Sequence, residues 1–427
     1  MACSPSREIF SSNVVTLSRT TITFFLILST CLLVDTPESD LKALFDSHKW
    51  FDLRDAVSQH GASAFYKCAV ACAFGDLKRA SKEAESAIES SPKSEQAYQA
   101  HNLLAYLYYR TGRYRQGLQQ INQMLAIKPD NASDQAGRKV FQALSGSPEQ
   151  SVGRRGFSRM HYEVKLGNPF TTLSVNGKPA KYMLDTGMNI SAMSESEAKR
   201  VGLAFQPVAS DAPKAQGSAG LFASYRVAVA DLITVGNFHI RNVAFLVFPD
   251  AQEPWGDLPP GERGALGISV LHAIQTARFS KDRTLEIGFP SKGGSVQEAN
   301  LCFQGASPFA AAEYKGKRVT LFLDTGAEET SLWPMFAKDF SGVIGESGKK
   351  DRKQIIGIGG ALEIEAVTLP EVKLRIGGFE TILQPAPVLL QETLPESGDY
   401  HGLLGWTLLQ QAGRVTFDFK SMQLTLE

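Results

Sequence analysis

The segment "YMLDTGMNIS" at residues 182–191 decides how this chain is read, because "LFLDTGAEET" at 321–330 repeats it. In both, an apolar strand runs into Asp-Thr-Gly and on to a hydroxyl residue. The aspartates, Asp185 and Asp324, are 139 residues apart. The same offset carries Pro169-Phe170 onto Pro308-Phe309, and Gly177 in "VNGK" onto Gly316 in "YKGK". It also carries Lys281, Leu285 and Ile287 onto Lys420, Leu424 and Leu426. "GALGISVL" (264–271) matches "GLLGWTLL" (402–409) at 138, one residue of slippage, which is what a changed loop leaves behind. Matches at both ends and in the middle predict two homologous β domains, 159–290 and 301–427, joined by a short flexible linker, 291–300. Their texture agrees: short runs of Val, Ile, Phe, Leu and Thr alternate with Gly, Pro and Asn turns.

An Asp at a strand end, followed by Thr and Gly, puts a carboxylate on a tight turn. The glycine permits a close backbone approach that a side chain would block. Two such turns can meet between the halves. Adjacent carboxylates cannot both ionise easily, so they share a proton. The ionised member can then act as general base on water while the protonated one polarises a substrate carbonyl.

"LDTGMNIS" and "LDTGAEET", each followed about 80 residues on by "ALG" or "LLG", resemble the retropepsin-like aspartic proteases. The resemblance covers residues 160–427. It implies a pseudo-dimer of two all-β acid protease domains in one chain, hydrolysing peptide bonds without a cofactor or metal. Asp185 and Asp324 would form the catalytic dyad. Thr186 and Thr325 would lock the turns together, Gly187 and Gly326 would permit the approach, and Ser191 and Thr330 would occupy the hydroxyl position after the motif. The segments ending in Gly267 and Gly405 would cross beneath the turns. The family also closes a flap over its substrate. "AQGSAGLFASY" (215–225) and "IIGIGGALEIE" (355–365) are the candidates, with Gly217, Gly220, Gly357, Gly359 and Gly360 at their tips. One departure matters. Pepsin-type enzymes usually carry Ser or Thr directly after DTG, whereas Met188 and Ala327 stand here. Without a hydroxyl to stabilise the anion, the dyad should titrate higher than pepsin's. The alternative is a catalytically idle relative that binds peptides. A third arrangement, each half pairing with its twin in another chain, is disfavoured by the short linker.

Residues 37–146 read as helical, with Ala and Leu at helical spacing. "AFGDLKRASKEAESAIESSP" (73–92) echoes "YRTGRYRQGLQQINQMLAIKP" (109–129), pairing Gly75 with Gly112 and Pro92 with Pro129. This resembles tetratricopeptide (TPR) repeats. Gly117 replaces the usual Ala and should weaken one helix-packing position. "LKALFDSHKWFDLRDAV" (41–57) would be a further irregular helix pair. Such hairpins either recruit a protein partner or pack on their neighbour. Residues 147–158, rich in Gly, Ser, Pro and charge, read as a linker.

Apolar content is 43% and charged content 21%, which fits globular domains with real cores. Lys+Arg and Asp+Glu are both 44, so there is no net basic charge to favour a nucleic-acid partner. The five cysteines form no zinc spacing, and Cys68 and Cys72 read as small buried residues. There is no H-E-x-x-H, G-x-S-x-G or P-loop motif. Arg7 and Arg19 precede "TITFFLILSTCLLV" (21–34), which suits a signal peptide or membrane anchor over 1–36. The expected location is therefore exported (periplasmic or extracellular) or membrane-anchored.

Overall fold

The structure is a computed structural model describing residues 38–59 and 61–427. The apolar segment within 1–36 lies outside the described residues. Residues 38–144 are helical, and two β-rich domains follow. None of the described helices is long and apolar enough to cross a membrane.

The helical region runs α1 (Glu38–Asp46), α2 (Trp50–Gln59), α3 (Ala64–Ala73), α4 (Leu77–Ser90), α5 (Glu95–Arg110), α6 (Tyr114–Ile127) and α7 (Ala132–Leu144). Polar side chains start three of them. Asp76 accepts from Arg79 N–H (3.0 Å), Ser94 from Ala97 N–H (3.1 Å) and Asn131 from Asp134 N–H (3.1 Å). Such a cap stabilises a helix by about 1 kcal/mol. Gly75 and Gly112, the pair found in sequence, end α3 and α5 with φ of 76° and 70°, the left-handed conformation glycine adopts without strain. On α4 a narrow stripe of Ala80, Ala84 and Ala87 is buried, so its neighbours approach closely. Gly117 differs from expectation. A Cβ there would overlap the Phe141 ring of α7, so the missing methyl makes room for an aromatic ring and the position is filled rather than weakened.

The β domains repeat one plan. Asn168–Val175 and Lys178–Leu184 form a hairpin through Asn176-Gly177, and Ser307–Tyr314 and Lys317–Leu323 form its copy through Lys315-Gly316. Both turns have two positive φ values, 48° and 78° against 48° and 75°, as two-residue hairpin turns require. Each second strand ends at the motif aspartate. Beside it, Gly264–Leu266 pairs parallel with Lys178–Leu184 and antiparallel with Ser191–Ser194. Gly402–Leu404 does the same with Lys317–Leu323 and Ser331–Leu332. The halves join where Thr276–Ser280 pairs antiparallel with Arg414–Asp418, Ala277 opposite Phe417. Tyr162, Phe279 and Trp406 pack edge to face beneath this seam. Burying one such side chain fully is worth about 1.5–3 kcal/mol.

Both expected linkers are more ordered than their composition suggests. Within 147–158, Ser151–Arg154 joins the sheet against Phe238–Phe248. Within 291–300, Arg54 of α2 donates to Val296 O (3.0 Å) and Ala299 O (2.7 Å). The helices also pack on the β domains. Trp50 Nε1 donates to Tyr400 Oη (3.1 Å), and Arg110 Nη1 donates to Gly305 O (2.8 Å) with its guanidinium over the Phe303 ring. Cys68, Cys72 and Cys302 are buried and unpaired.

Candidate active site

The strands Lys178–Leu184 and Lys317–Leu323 deliver Asp185 and Asp324 into the interface between the halves, where both are buried. The glycines explain how close they come. A Cβ on Gly187 would overlap the Asp324 carboxylate, and one on Gly326 would overlap that of Asp185. Each glycine is the floor for the other domain's acid, a contact no residue with a side chain permits.

The threonines tie the turns together. Thr186 N–H donates to Thr325 Oγ1 and Thr325 N–H to Thr186 Oγ1, both at 3.0 Å. The two hydroxyls donate to Leu323 O and Leu184 O, both at 2.7 Å. Every hydroxyl is thus donor and acceptor across the interface. Buried bonds of this kind are costly to leave half-made.

The segments beneath supply the remaining supports. Asp185 N–H donates to Leu266 O (3.0 Å) and Asp324 N–H to Leu404 O (3.1 Å). Gly267 N–H donates to Ser191 Oγ (3.0 Å) and Gly405 N–H to Thr330 Oγ1 (2.9 Å). Ser191 and Thr330 therefore fix the DTG turn to the strand under it and do not touch the carboxylates.

Electrostatics follows from this placement. Burial raises both carboxyl pKa values, and the Asp324 charge raises Asp185 further. Backbone N–H groups pull the other way: Gly187 (2.8 Å) and Met188 (3.2 Å) donate to Asp185, and Gly326 (2.9 Å) donates to Asp324. Burial and like charge win, so the pair holds a proton that isolated aspartates would lose. No side-chain hydroxyl among the described residues donates to either carboxylate. Met188 contributes only its backbone.

The glycine-rich hairpins face each other. In the second half, Lys349–Gly357 and Gly360–Leu369 run out to an Ile358-Gly359 tip. In the first, Ala215–Gln216 and Phe222–Ala223 make a much shorter hairpin that holds Gly217 and Gly220. The tips touch: Ser218 Oγ donates to Ile356 O (3.2 Å), and a Cβ on Gly217 would overlap Ile358 O. Ile358 also packs into the apolar cluster holding Met188, Ala223 and Trp255. The second domain's tip therefore seals against the first domain's wall.

Sequence reasoning missed Asn168. Its buried Nδ2 donates to Thr325 O (3.1 Å), one more bond between the halves. The signal was there, since Asn168 precedes the repeated Pro-Phe pair, but its counterpart Ser307 is a different residue and hides the role. Among the described residues no group of His, Cys, Asp or Glu is arranged to hold a metal ion.

A family model described as aspartyl protease matches residues 171–270 and 310–408, one segment in each β domain. Each segment holds one DTG turn and its downstream glycine. No curated protein sequence matches the chain. A retropepsin-like aspartic protease from Rickettsia conorii shares 18% identity with a TM-score of 0.22, over 33% of this chain and 94% of that one. An aspartic proteinase from Irpex lacteus shares 13% identity with a TM-score of 0.35, over 63% of this chain and 96% of that one.

Proposed function

We propose that the chain is an aspartic-type endopeptidase, its catalytic dyad formed by Asp185 and Asp324 from the two duplicated domains. The observation that carries this reading is the meeting of the two DTG turns. Each glycine lies under the opposite carboxylate, and the turns are bonded reciprocally through Thr186 and Thr325. A water held by both acids loses a proton to the ionised one as it attacks the scissile carbonyl, while the protonated acid hydrogen-bonds the carbonyl oxygen. The resulting diol collapses as the leaving nitrogen takes a proton from the dyad. No covalent intermediate forms. The substrate is an extended or unfolded peptide, lying as an added strand between the dyad and the two glycine-rich hairpins. The touching tips must part to admit it, a loop motion on the microsecond to millisecond scale.

The helices belong to the proposal as tetratricopeptide-like hairpins. The spacing of α3–α4 and α5–α6 about Gly75 and Gly112 supports this. Export or membrane tethering is proposed on the apolar run 21–34. The test is cleavage of a mixture of unfolded peptides across a wide pH range, with and without a pepstatin-type inhibitor. Inhibitable cleavage at mildly acidic pH is expected. No cleavage at any pH would leave a peptide-binding module in place of an enzyme.

A further inference from the structure

A cavity of about 490 Å³ lies where the helical region meets the β domains. Its wall joins three parts of the chain: His48 and Tyr106 from the helices, Gln304 and Ser307 from the second domain, and Asn189 from the first. Asn189 sits on the catalytic turn itself, four residues after Asp185. The cavity therefore reaches the segment that follows the first DTG turn.

Arg110 is the unusual group in this wall. Its side chain is 2% exposed. Its titratable neighbours are the thiols of Cys72 and Cys302 and the buried imidazole of His272, none of them a carboxylate. Each Nη gives one of its two N–H groups to a carbonyl, Gly305 O or Cys72 O, and its Nε is buried with no hydrogen-bond partner. Burial pulls its pKa down to about 10, which still leaves it charged at neutral pH. The other charged groups in the wall are already engaged: Asp46 with Lys42, and His48 with Asp399. Asn189 Oδ1 and Gln304 Oε1, on two other residues of this wall, are also buried without partners, and turning either amide over puts N–H where its oxygen now stands. A buried cation with an idle N–H and two idle amides is costly unless something fills the site.

The other end of the cleft is built differently. The repeat offset places Glu328 opposite Asn189 and Asn168 opposite Ser307. There Gly167 lies directly against the Glu328 side chain, so an acid occupies the turn where the first end has an amide. The two ends therefore differ in charge at this turn.

We propose that this cavity is a substrate subsite taking a carboxylate several residues from the scissile bond, held by Arg110 with the amides of Asn189 and Gln304. The inference rests on the peptidase reading above. It makes the helical region part of substrate selection, not only a packing partner. The carboxylate has two sources, an acidic side chain or the free C-terminus of the peptide.

The experiment uses the full chain and labelled peptides in matched pairs. One set differs by glutamate or glutamine at successive positions on each side of the scissile bond, and another by a free or amidated C-terminus. Binding is read by fluorescence anisotropy on the Asp324→Asn protein, and cleavage by kcat/KM on the wild type. At least about ten-fold tighter binding of one carboxylate partner is expected, the scale of a buried charge-assisted bond. The responding set identifies the source. Arg110→Gln should erase this preference while leaving cleavage of the neutral peptides within about two-fold. Gln304→Ala, which keeps the buried charge, should reduce the preference about three-fold and serves if Arg110→Gln does not fold. Equal binding of every pair, or none, overturns the subsite, as does a preference unchanged in a folded Arg110→Gln protein. Because binding is read apart from cleavage, absent cleavage sinks the peptidase reading without deciding the subsite.

Discussion

Asp185 and Asp324 are held by matching bonds. Each has its N–H on the carbonyl of an apolar-Gly segment, a threonine tied to the opposite turn, and a hydroxyl gripping the glycine below. The surroundings of the two aspartates do not match. The first domain's glycine-rich hairpin has two-residue strands, whereas the second domain's run nine and ten residues. One cleft end has Asn189 and a helical wall, and the other has Glu328. The difference separates two demands on one fold. A shared proton needs near-symmetric support, because bonds missing on one side would bias its position. A directional peptide needs unlike walls.

The symmetric part can be broken most severely at its glycines. Gly187→Ala and Gly326→Ala each put a methyl group into the opposite carboxylate, so either change should lower kcat/KM at least about 100-fold, the scale of ångström misplacement at a reacting centre. Similar losses at both positions would support the symmetry, and a loss at only one would break it.

The threonine lock comes next. Thr186→Ala or Thr325→Ala leaves a buried N–H and a buried C=O without partners. Each should cost roughly 2–4 kcal/mol of stability by chemical denaturation, and Thr→Ser should recover most of it. A cost confined to one threonine would mean that the turns are not mutually supporting.

The smallest effect concerns titration. Met188→Ser and Ala327→Ser would set a hydroxyl beside a carboxylate that now lacks one. The added bond favours the anion and lowers the first apparent pKa of the pair. The acidic limb of the pH–kcat/KM profile should move to lower pH in both variants. A limb that stays in place would mean that the hydroxyl does not reach the dyad.

Much of this architecture could be read in the sequence because duplication writes it twice. The hairpin turns, the DTG motifs, the downstream glycines and the strands at the domain seam each recur at an offset of 138 or 139 residues, so a weak local signal is strengthened by its copy. Features without a copy were hidden. Ser151–Arg154 has linker composition and becomes a strand only because Phe238–Phe248 offers it an edge. Gly117 reads as a weakness until Phe141, distant in sequence, fills the space. Asn168 works across the interface while its counterpart is a serine. The cavity with Arg110 needs three segments brought together by tertiary packing, and no local pattern announces it.

In the proposed enzyme, two carboxyls from two halves act as one site. The most direct measurement is kcat/KM and melting temperature, across pH, for wild type, Asp185→Asn and Asp324→Asn. Each substitution should lower kcat/KM at least about 10³-fold, since members of a catalytic unit fail together. Their stabilities should respond in the opposite sense. Both pKa values are raised above the ordinary 3.8 by burial. The pair therefore favours folding at low pH, and that contribution is lost as pH rises through the folded values. At neutral pH both Asn variants should melt above wild type, with the gap closing below about pH 3.8. Full activity in either variant, or a loss of stability in both at neutral pH, would contradict a shared dyad.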